Sequence, residues 1–209
     1  MHENLQKLLK NNPLLWRADD GLTEKKESFS TGYVALDGIL PASGWPANAL
    51  VELIVPRWGI GELQLVSPVM AQLSQSAHYL VWIAPPFIPY APSLQTHGIV
   101  LERLFVLPKT QVKEGVLWSM EKVLRAHSCG VAMAWPQRVT DKTARRLQLA
   151  AENGRSLGFI FRNVEAKSSP AALRMRLTPV KNGLEVQVLK ARGTSRFQRV
   201  CLNINVGEN

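Results

Sequence analysis

The segment spanning residues 50–73 constrains the fold of this 209-residue chain more than any other. Leu50–Val55 is a short apolar run with β-branched residues, the pattern of a buried strand. A turn containing Gly59 and Gly61 follows, and apolar residues then recur at helical spacing over Leu63–Leu73. This order of strand, glycine turn and helix predicts a crossover unit whose turn has the layout of a phosphate-binding loop.

The other strands are predicted from two kinds of pattern. Tyr79–Ala84 is apolar throughout, which is typical of a strand in a parallel sheet with both faces covered. Near the carboxyl terminus the pattern alternates: Leu173 and Met175 point one way, Arg174 and Arg176 the other. We therefore predict a mostly parallel α/β sheet with helices on both faces and antiparallel strands at the C-terminus. Further strands are expected at Leu104–Leu107, Gly130–Trp135 and Leu157–Arg162.

The glycine turn lacks the chemistry of a phosphate-binding loop. The GxxxxGK[ST] pattern is absent, because Gly61 stands where the lysine is needed and Glu62 where a Ser or Thr would contact magnesium. A carboxylate at that position would repel a triphosphate. Trp58, preceded by Arg57, is bulky where small residues let the backbone approach a ligand. We predict that this degenerate loop, which includes Gly59, binds no nucleotide and that the chain has no cofactor. The alternative, an ordinary tight turn between strand and helix, would also bind no nucleotide.

Short sequence blocks follow one another along most of the chain. They are Leu15-Trp16-Arg17, Ser30-Thr31-Gly32, Gly44-Trp45-Pro46, Val51-Glu52-Leu53, Gly59-Ile60-Gly61-Glu62-Leu63, Trp82-Ile83-Ala84-Pro85-Pro86, Pro89-Tyr90-Ala91-Pro92, Leu147-Gln148-Leu149-Ala150-Ala151-Glu152 and Ser169-Pro170-Ala171-Ala172-Leu173-Arg174. The early blocks resemble the core of the RecA ATPases. The ordered set resembles the ImuA family, RecA-like and SulA-like accessory factors of damage-induced mutagenesis. The resemblance implies a RecA-like fold.

The resemblance also implies positions for ATP chemistry, and this chain does not fill them. The glycine turn has no lysine, and the proline-rich segment 85–92, near the expected catalytic glutamate, has no Asp or Glu. The strand Gly130–Trp135 ends in Trp135-Pro136, where a RecA-type ATPase has its Walker B aspartate. Since three features are missing independently, we predict a pseudo-ATPase without catalytic residues, and not an enzyme.

The resemblance to ImuA implies a non-catalytic accessory protein of the SOS response that supports error-prone translesion DNA synthesis. The implied partner is ImuB, a Y-family-polymerase-like protein, with RecA and a C-family error-prone polymerase as further partners. The alternative is a SulA-like cell division inhibitor that binds FtsZ, because strand 130–135 and the run ending in Gly154 fit both families. The blocks at Trp16 and Gly44-Trp45-Pro46 favour ImuA.

We predict two segments, an N-terminal helix and linker over residues 1–28 and a degenerate RecA-like core over residues 29–209. Leu15 and Trp16 form an apolar anchor followed by Arg17, and these three residues are expected to bind a partner. An N-terminal helix folded back onto its own core is an equal alternative.

The proline-stiffened loop over residues 85–92 is a second candidate for partner binding. It leaves the carboxyl end of a predicted strand, where α/β folds place their sites. Its rigidity lowers the entropic cost of docking, so Phe87 and Tyr90 are expected to contact a partner. The alternative, a loop packed on its own sheet, has equal weight.

Positive charge is concentrated in the last third of the chain. The net charge is +9, and residues 138–199 carry 14 Lys and Arg against 4 Asp and Glu. This asymmetry favours an acidic partner or a polyanion such as single-stranded DNA. Solvated charges that keep a sheet edge from aggregating are the alternative. The predicted basic surface consists of Arg174, Arg176, Lys190, Arg192 and Arg196.

The two cysteines, Cys129 and Cys201, lie in apolar segments outside any Cys/His cluster, so we expect buried free thiols and no metal site. The chain has no apolar run of membrane-spanning length and no leader-like N-terminus. The expected location is the cytoplasm.

Overall fold

The structure is a computed structural model that describes residues 27–112, 114–165, 168–193 and 198–204. Its strands are β1 (Ser28–Phe29), β2 (Trp45–Pro46), β3 (Leu50–Ile54), β4 (Tyr79–Ile83), β5 (Leu104–Leu107), β6 (Cys129–Ala134), β7 (Leu157–Arg162), β8 (Leu173–Val180), β9 (Gly183–Ala191) and β10 (Arg199–Leu202). Its α-helices are α1 (Val34–Asp37), α2 (Glu62–Gln75), α3 (Ala91–Thr96), α4 (Val116–Leu124) and α5 (Asp141–Gly154). Short 3₁₀ turns lie at Leu101–Arg103 and Lys109–Gln111.

Within the described residues, the main sheet has eight strands in the spatial order β10-β9-β8-β3-β7-β6-β4-β5. Strands β3 to β8 run parallel, whereas β9 pairs antiparallel with β8, and β10 antiparallel with β9. Strands β1 and β2 form a separate antiparallel pair. The prediction of a mixed α/β fold with a mostly parallel sheet and C-terminal antiparallel strands is therefore confirmed. The first C-terminal strand, β8, extends the parallel part because it pairs with β3.

Helices cover both faces of the parallel strands. On one face, Leu65 and Val69 of α2 pack in one apolar cluster with Leu53 of β3. On the other face, Met120 of α4 and Leu147 of α5 pack in a second cluster around the parallel strands. The alternating sequence of β8 arises because only one of its faces enters the core, so its other face becomes progressively exposed along the strand.

Helices α4 and α5 cross closely near their carboxyl ends. A Cβ atom built on Gly154 would lie 1.8 Å from the carbonyl oxygen of Leu124. The same carbonyl accepts a hydrogen bond from Ser156 Oγ at 2.7 Å. The absence of a side chain at residue 154 therefore sets the separation of the two helices.

The cysteines differ from the prediction in one respect. Cys129 on β6 is a buried free thiol, and burial raises its pKa to about 12. Cys201 is exposed, so the prediction that both thiols are buried is wrong for this residue. The reason is its place on β10, the outermost strand of the sheet. No helix within the described ranges is both long and apolar enough to cross a bilayer.

Candidate functional site

The turn between β3 and α2 holds a carboxylate against its own backbone amides. Gly61, with φ of +98°, precedes the first residue of the helix, Glu62. The backbone N–H of Gly59 donates to both carboxylate oxygens of Glu62, at 2.8 and 3.1 Å, and that of Ile60 donates to one of them at 2.9 Å. The Glu62 side chain is buried. An anion therefore already occupies amides of the kind that bind phosphate in nucleotide-binding loops.

We expect Glu62→Ala to lower the free energy of unfolding by about 1–3 kcal/mol, because it leaves the Gly59 and Ile60 amides without their acceptor. Urea denaturation of the purified protein measures the change. Glu102→Ala, which removes an exposed carboxylate from a 3₁₀ turn, is the matched control and should stay within about 0.5 kcal/mol of wild type. Equal stability of the two variants would contradict the role assigned to Glu62.

A cleft of about 760 Å³ lies beside this turn, at the carboxyl ends of the parallel strands, and we call it the carboxyl-edge cleft. Trp135, which directly follows β6, stacks on Phe161 with ring centroids 4.8 Å apart and lies 5.8 Å from the ring of Trp82. The indole thus fills the space at the carboxyl end of β6. The aromatic and proline residues of the cleft wall are Trp58, Pro85, Pro86, Trp118, Trp135 and Pro136.

The loop between β4 and α3 presents apolar side chains to solvent. Phe87 is 70% exposed, Ile88 94% and Tyr90 72%. Pro85 and Pro86 of the same loop line the carboxyl-edge cleft. The loop therefore does not bury its aromatic residues on its own sheet, and exposed apolar side chains that lie together are typical of interaction sites. Sequence reasoning named Phe87 and Tyr90 but not Ile88, the most exposed of the three.

A buried ionic network on the sheet was not predicted. Glu52, in the middle of β3, is 1% exposed and accepts hydrogen bonds from Arg162 Nη1 on β7 and Arg174 Nε on β8, each at 2.7 Å. Because β3 lies between β7 and β8, one carboxylate can reach both guanidinium groups. A glutamate inside the apolar run of residues 50–55 was the sequence signal for such a partner.

The same contacts bear on the predicted basic surface. Arg174 is buried, so its charge does not lie on the protein surface, and this part of the prediction is corrected. Arg176 forms an ion pair with Glu165 and donates to Gln187 at 3.0 Å, and Arg192 pairs with Glu152 at 3.0 Å. These pairings reduce the positive charge that this part of the sheet offers to a phosphate backbone.

Lys190 donates to the carbonyl oxygen of Ser169 at 2.6 Å. Burial lowers the pKa of Lys190, and the nearby positive charges of Arg174 and Arg192 lower it further. Binding of single-stranded DNA by the other cations stays a prediction. Arg196 and the N-terminal residues Leu15, Trp16 and Arg17 lie outside the described residues. Among the residues described, no group of three or more His, Cys, Asp or Glu side chains is arranged to hold a metal ion.

Comparison with known proteins shows which family the central part of the chain matches. The family model for "Cell division inhibitor SulA" matches residues 58–158. That range contains the turn at Glu62, the exposed loop and most of the carboxyl-edge cleft. The central region of this chain is SulA-like. It shares 24% identity over 165 residues with the cell division inhibitor SulA of Edwardsiella piscicida, covering 78% of this chain and 91% of the relative.

Two other SulA proteins match over shorter stretches. SulA of Serratia marcescens is 29% identical over 116 residues, covering 55% of this chain and 68% of the relative. SulA of Klebsiella aerogenes is 30% identical over 107 residues, covering 51% and 63%. The crystal structure of SulA from Pseudomonas aeruginosa aligns at a TM-score of 0.45 and 24% identity, over 54% of this chain and 96% of that one.

These matches correct the function expected from the ImuA resemblance. The prediction of an accessory protein of translesion DNA synthesis with ImuB as partner is overturned by the match to SulA, which was the stated alternative. The two blocks that favoured ImuA, at Trp16 and at Gly44-Trp45-Pro46, both lie outside residues 58–158. Strand 130–135 and the run ending in Gly154, which were expected to fit both families, lie within residues 58–158 and could not decide between them.

Proposed function

We propose that this chain inhibits cell division by binding FtsZ, and that it acts as a protein ligand and not as an enzyme. The observation that carries the proposal is the match of residues 58–158 to the division inhibitor SulA. The match coincides with the part of the chain that presents the exposed loop and the carboxyl-edge cleft. The similarity to SulA and a surface on which a protein can dock thus fall in the same region of the chain.

The surface around the exposed loop suits a protein partner. Phe87 and Tyr90 offer aromatic area, and aromatic side chains dominate the binding energy of many protein interfaces. Prolines at residues 85, 86 and 89 restrict the loop, which lowers the entropy lost on docking. Lys109 and Arg138 line the neighbouring cleft together with one acidic residue, Glu114, so its net positive charge would suit acidic groups at the rim of the partner's interface.

We expect expression of the chain in a rod-shaped bacterium with its cognate FtsZ to produce filaments several-fold longer than uninduced cells. Phe87→Ser/Tyr90→Ser should abolish filamentation, because it removes the aromatic contacts without disturbing buried residues. Val34→Ser is the matched control, since Val34 is an apolar residue at least as exposed as Phe87 and Tyr90 and lies outside residues 58–158, and it should retain full activity. Cell length is measured by microscopy at protein levels equalised by immunoblot.

Comparing the wild-type chain with the double variant tests the proposed function and the proposed binding surface separately. Normal cell length with the wild-type chain would contradict the proposed function. Filamentation by the double variant at the wild-type level would leave the function standing and contradict the assignment of the surface to Phe87 and Tyr90.

We further propose that the core is a RecA-like fold without ATP chemistry. The support is the strand, glycine turn and helix over residues 50–75, together with the Glu62 carboxylate bound to the amides of its own turn. A phosphate entering there would have to displace this carboxylate and would meet its negative charge. Calorimetric titration with Mg-ATP should show no binding heat at millimolar nucleotide, whereas ATP hydrolysis that is abolished by changing Gly59 or Gly61 would contradict the proposal.

A further inference from the structure

A second cleft, of about 510 Å³, lies at the opposite end of the parallel strands, and we call it the amino-edge cleft. Its floor contains the first residue of β8, Leu173, and the last residue of β9, Ala191. The loop over residues 40–49 forms one wall. The cleft is thus separated from the carboxyl-edge cleft by the length of the sheet.

Small residues at several lining positions leave room for the amino-edge cleft. Gly44, Ala49, Ala172 and Ala191 line it, and all four are buried. The wall is fixed in place, since a Cβ atom on Gly44 would lie 2.3 Å from the carbonyl oxygen of Phe29. The cleft, at about 510 Å³, lies within the size range of small-molecule sites, so bulky apolar side chains can enter it.

The chain enters the described structure at the rim of this cleft. Glu27, the first described residue, lines the cleft, and its carbonyl oxygen accepts a hydrogen bond from the N–H of Ala47 in the wall at 2.9 Å. The rest of the rim is polar and includes the ion pair between Glu152 and Arg192. An apolar floor with a charged rim fits a segment that has bulky apolar residues followed by a polar stretch.

The sequence immediately before Glu27 has this composition. Leu14, Leu15 and Trp16 are three consecutive bulky apolar residues, and Arg17 follows them. The stretch from there to Glu27 is polar and of mixed charge. We propose that the Leu14-Leu15-Trp16 anchor of this chain occupies its own amino-edge cleft, with Arg17 near the acidic rim residues.

The connecting segment is long enough for this contact. Residues 17–26 link Trp16 to Glu27, and ten residues span up to about 35 Å when extended. A connection of this length gives the tethered anchor an effective concentration on the order of millimolar, so weak apolar contacts suffice to fill the cleft. A partner protein or a second copy of the chain, at micromolar concentration, would have to compete with this tethered segment.

Disulfide cross-linking of the full-length chain tests the proposal. Leu15→Cys is combined with Ala42→Cys in the wall of the amino-edge cleft, in a Cys201→Ser background that removes the exposed native thiol. The control pairs Leu15→Cys with Pro86→Cys at the carboxyl-edge cleft. We expect the first pair to form an intramolecular disulfide at least about tenfold faster than the same pair carrying Leu14→Ser and Trp16→Ser, because the tether is the same in both and only docking of the anchor differs.

Adding Leu14→Ser and Trp16→Ser to the Pro86→Cys control pair should leave its rate unchanged, and equal rates for the first pair with and without the two serines would overturn the proposal. A concentration-dependent disulfide between two chains would also overturn it, and would assign the cleft to a second copy. Neither result depends on FtsZ, so the test is independent of the proposed function.

Hydrogen exchange of the chain with its native cysteines gives a second measurement. The N–H of Arg192 bonds to the carbonyl of Ala172 at the cleft, and that of Ala172 bonds to the carbonyl of Leu50. Leu14→Ser/Trp16→Ser should raise exchange at these amides several-fold and leave the amides of α2 unchanged. Unchanged exchange at the cleft would contradict docking of the anchor.

Discussion

Glu52→Ala is expected to lower the free energy of unfolding by about 3–5 kcal/mol, the range for breaking a buried ion pair by removing one partner. The Glu52 carboxylate is buried in the middle of the sheet and receives hydrogen bonds from Arg162 and Arg174, whose side chains are 12% and 6% exposed. Without this carboxylate each guanidinium group loses a charged hydrogen-bond acceptor in a region that water hardly reaches. Equilibrium urea denaturation, followed by far-UV circular dichroism, measures the loss.

The matched control is Glu185→Ala. Glu185 also lies on a strand of the sheet, but its carboxylate is 3.9 Å from the exposed guanidinium of Arg199, so its removal should cost less than about 1 kcal/mol. Glu52→Gln should fall between the two variants, because the amide oxygen still accepts a hydrogen bond but carries no charge. If Glu52→Ala were as stable as Glu185→Ala, the buried network would not stabilise the sheet.

Gly154→Ala is expected to destabilise the protein by about 3 kcal/mol or more, which is large for the addition of one methyl group. The new Cβ would lie 1.8 Å from the Leu124 carbonyl oxygen, so α4 and α5 would have to separate. The separation would also weaken the hydrogen bond from Ser156 Oγ to the same carbonyl. The midpoint of urea unfolding, compared at constant m-value, measures the effect.

Gly38→Ala provides the control for this substitution. Gly38 has φ of −64° and ψ of −23°, which alanine adopts without strain, and a Cβ there would lie 3.4 Å from the nearest atom, the Val34 carbonyl oxygen. The free energy of unfolding of the Gly38→Ala variant should therefore stay within about 0.5 kcal/mol of the wild-type value. Equal midpoints for Gly154→Ala and Gly38→Ala would show that the helix crossing tolerates a side chain.

The parallel part of the fold could be predicted because each of its strands can be recognised from the composition of its own residues. Runs such as Tyr79–Ala84 are apolar on both sides, and strands buried on both faces need this composition. The pairing of β8 with β3 could not be predicted in the same way, because residues 50–54 and 173–180 are far apart in the sequence. That pairing brings Glu52 next to Arg174 and converts a predicted surface cation into a buried one.

The candidate site was predicted in part. The missing lysine and the unusual Glu62 followed from spacing alone, whereas the bonds from Glu62 to its own turn depend on backbone geometry that the sequence does not state. The exposure of the loop with Phe87 and Tyr90 was left open between two alternatives, because an apolar loop can pack inward or face solvent. The family was misjudged because Trp16 and Gly44-Trp45-Pro46 received more weight than the central residues 58–158.

The assembly of purified FtsZ in the presence of the purified chain tests the central claim most directly. GTP-dependent polymers are sedimented, and the FtsZ in the pellet is measured as the chain is added up to equimolar amounts. We predict that the wild-type chain lowers the pelleted fraction in proportion to its concentration and that Phe87→Ser/Tyr90→Ser leaves it unchanged. An unchanged pellet with the wild-type chain, together with no detectable complex between the two proteins, would contradict the proposal that this protein acts on FtsZ.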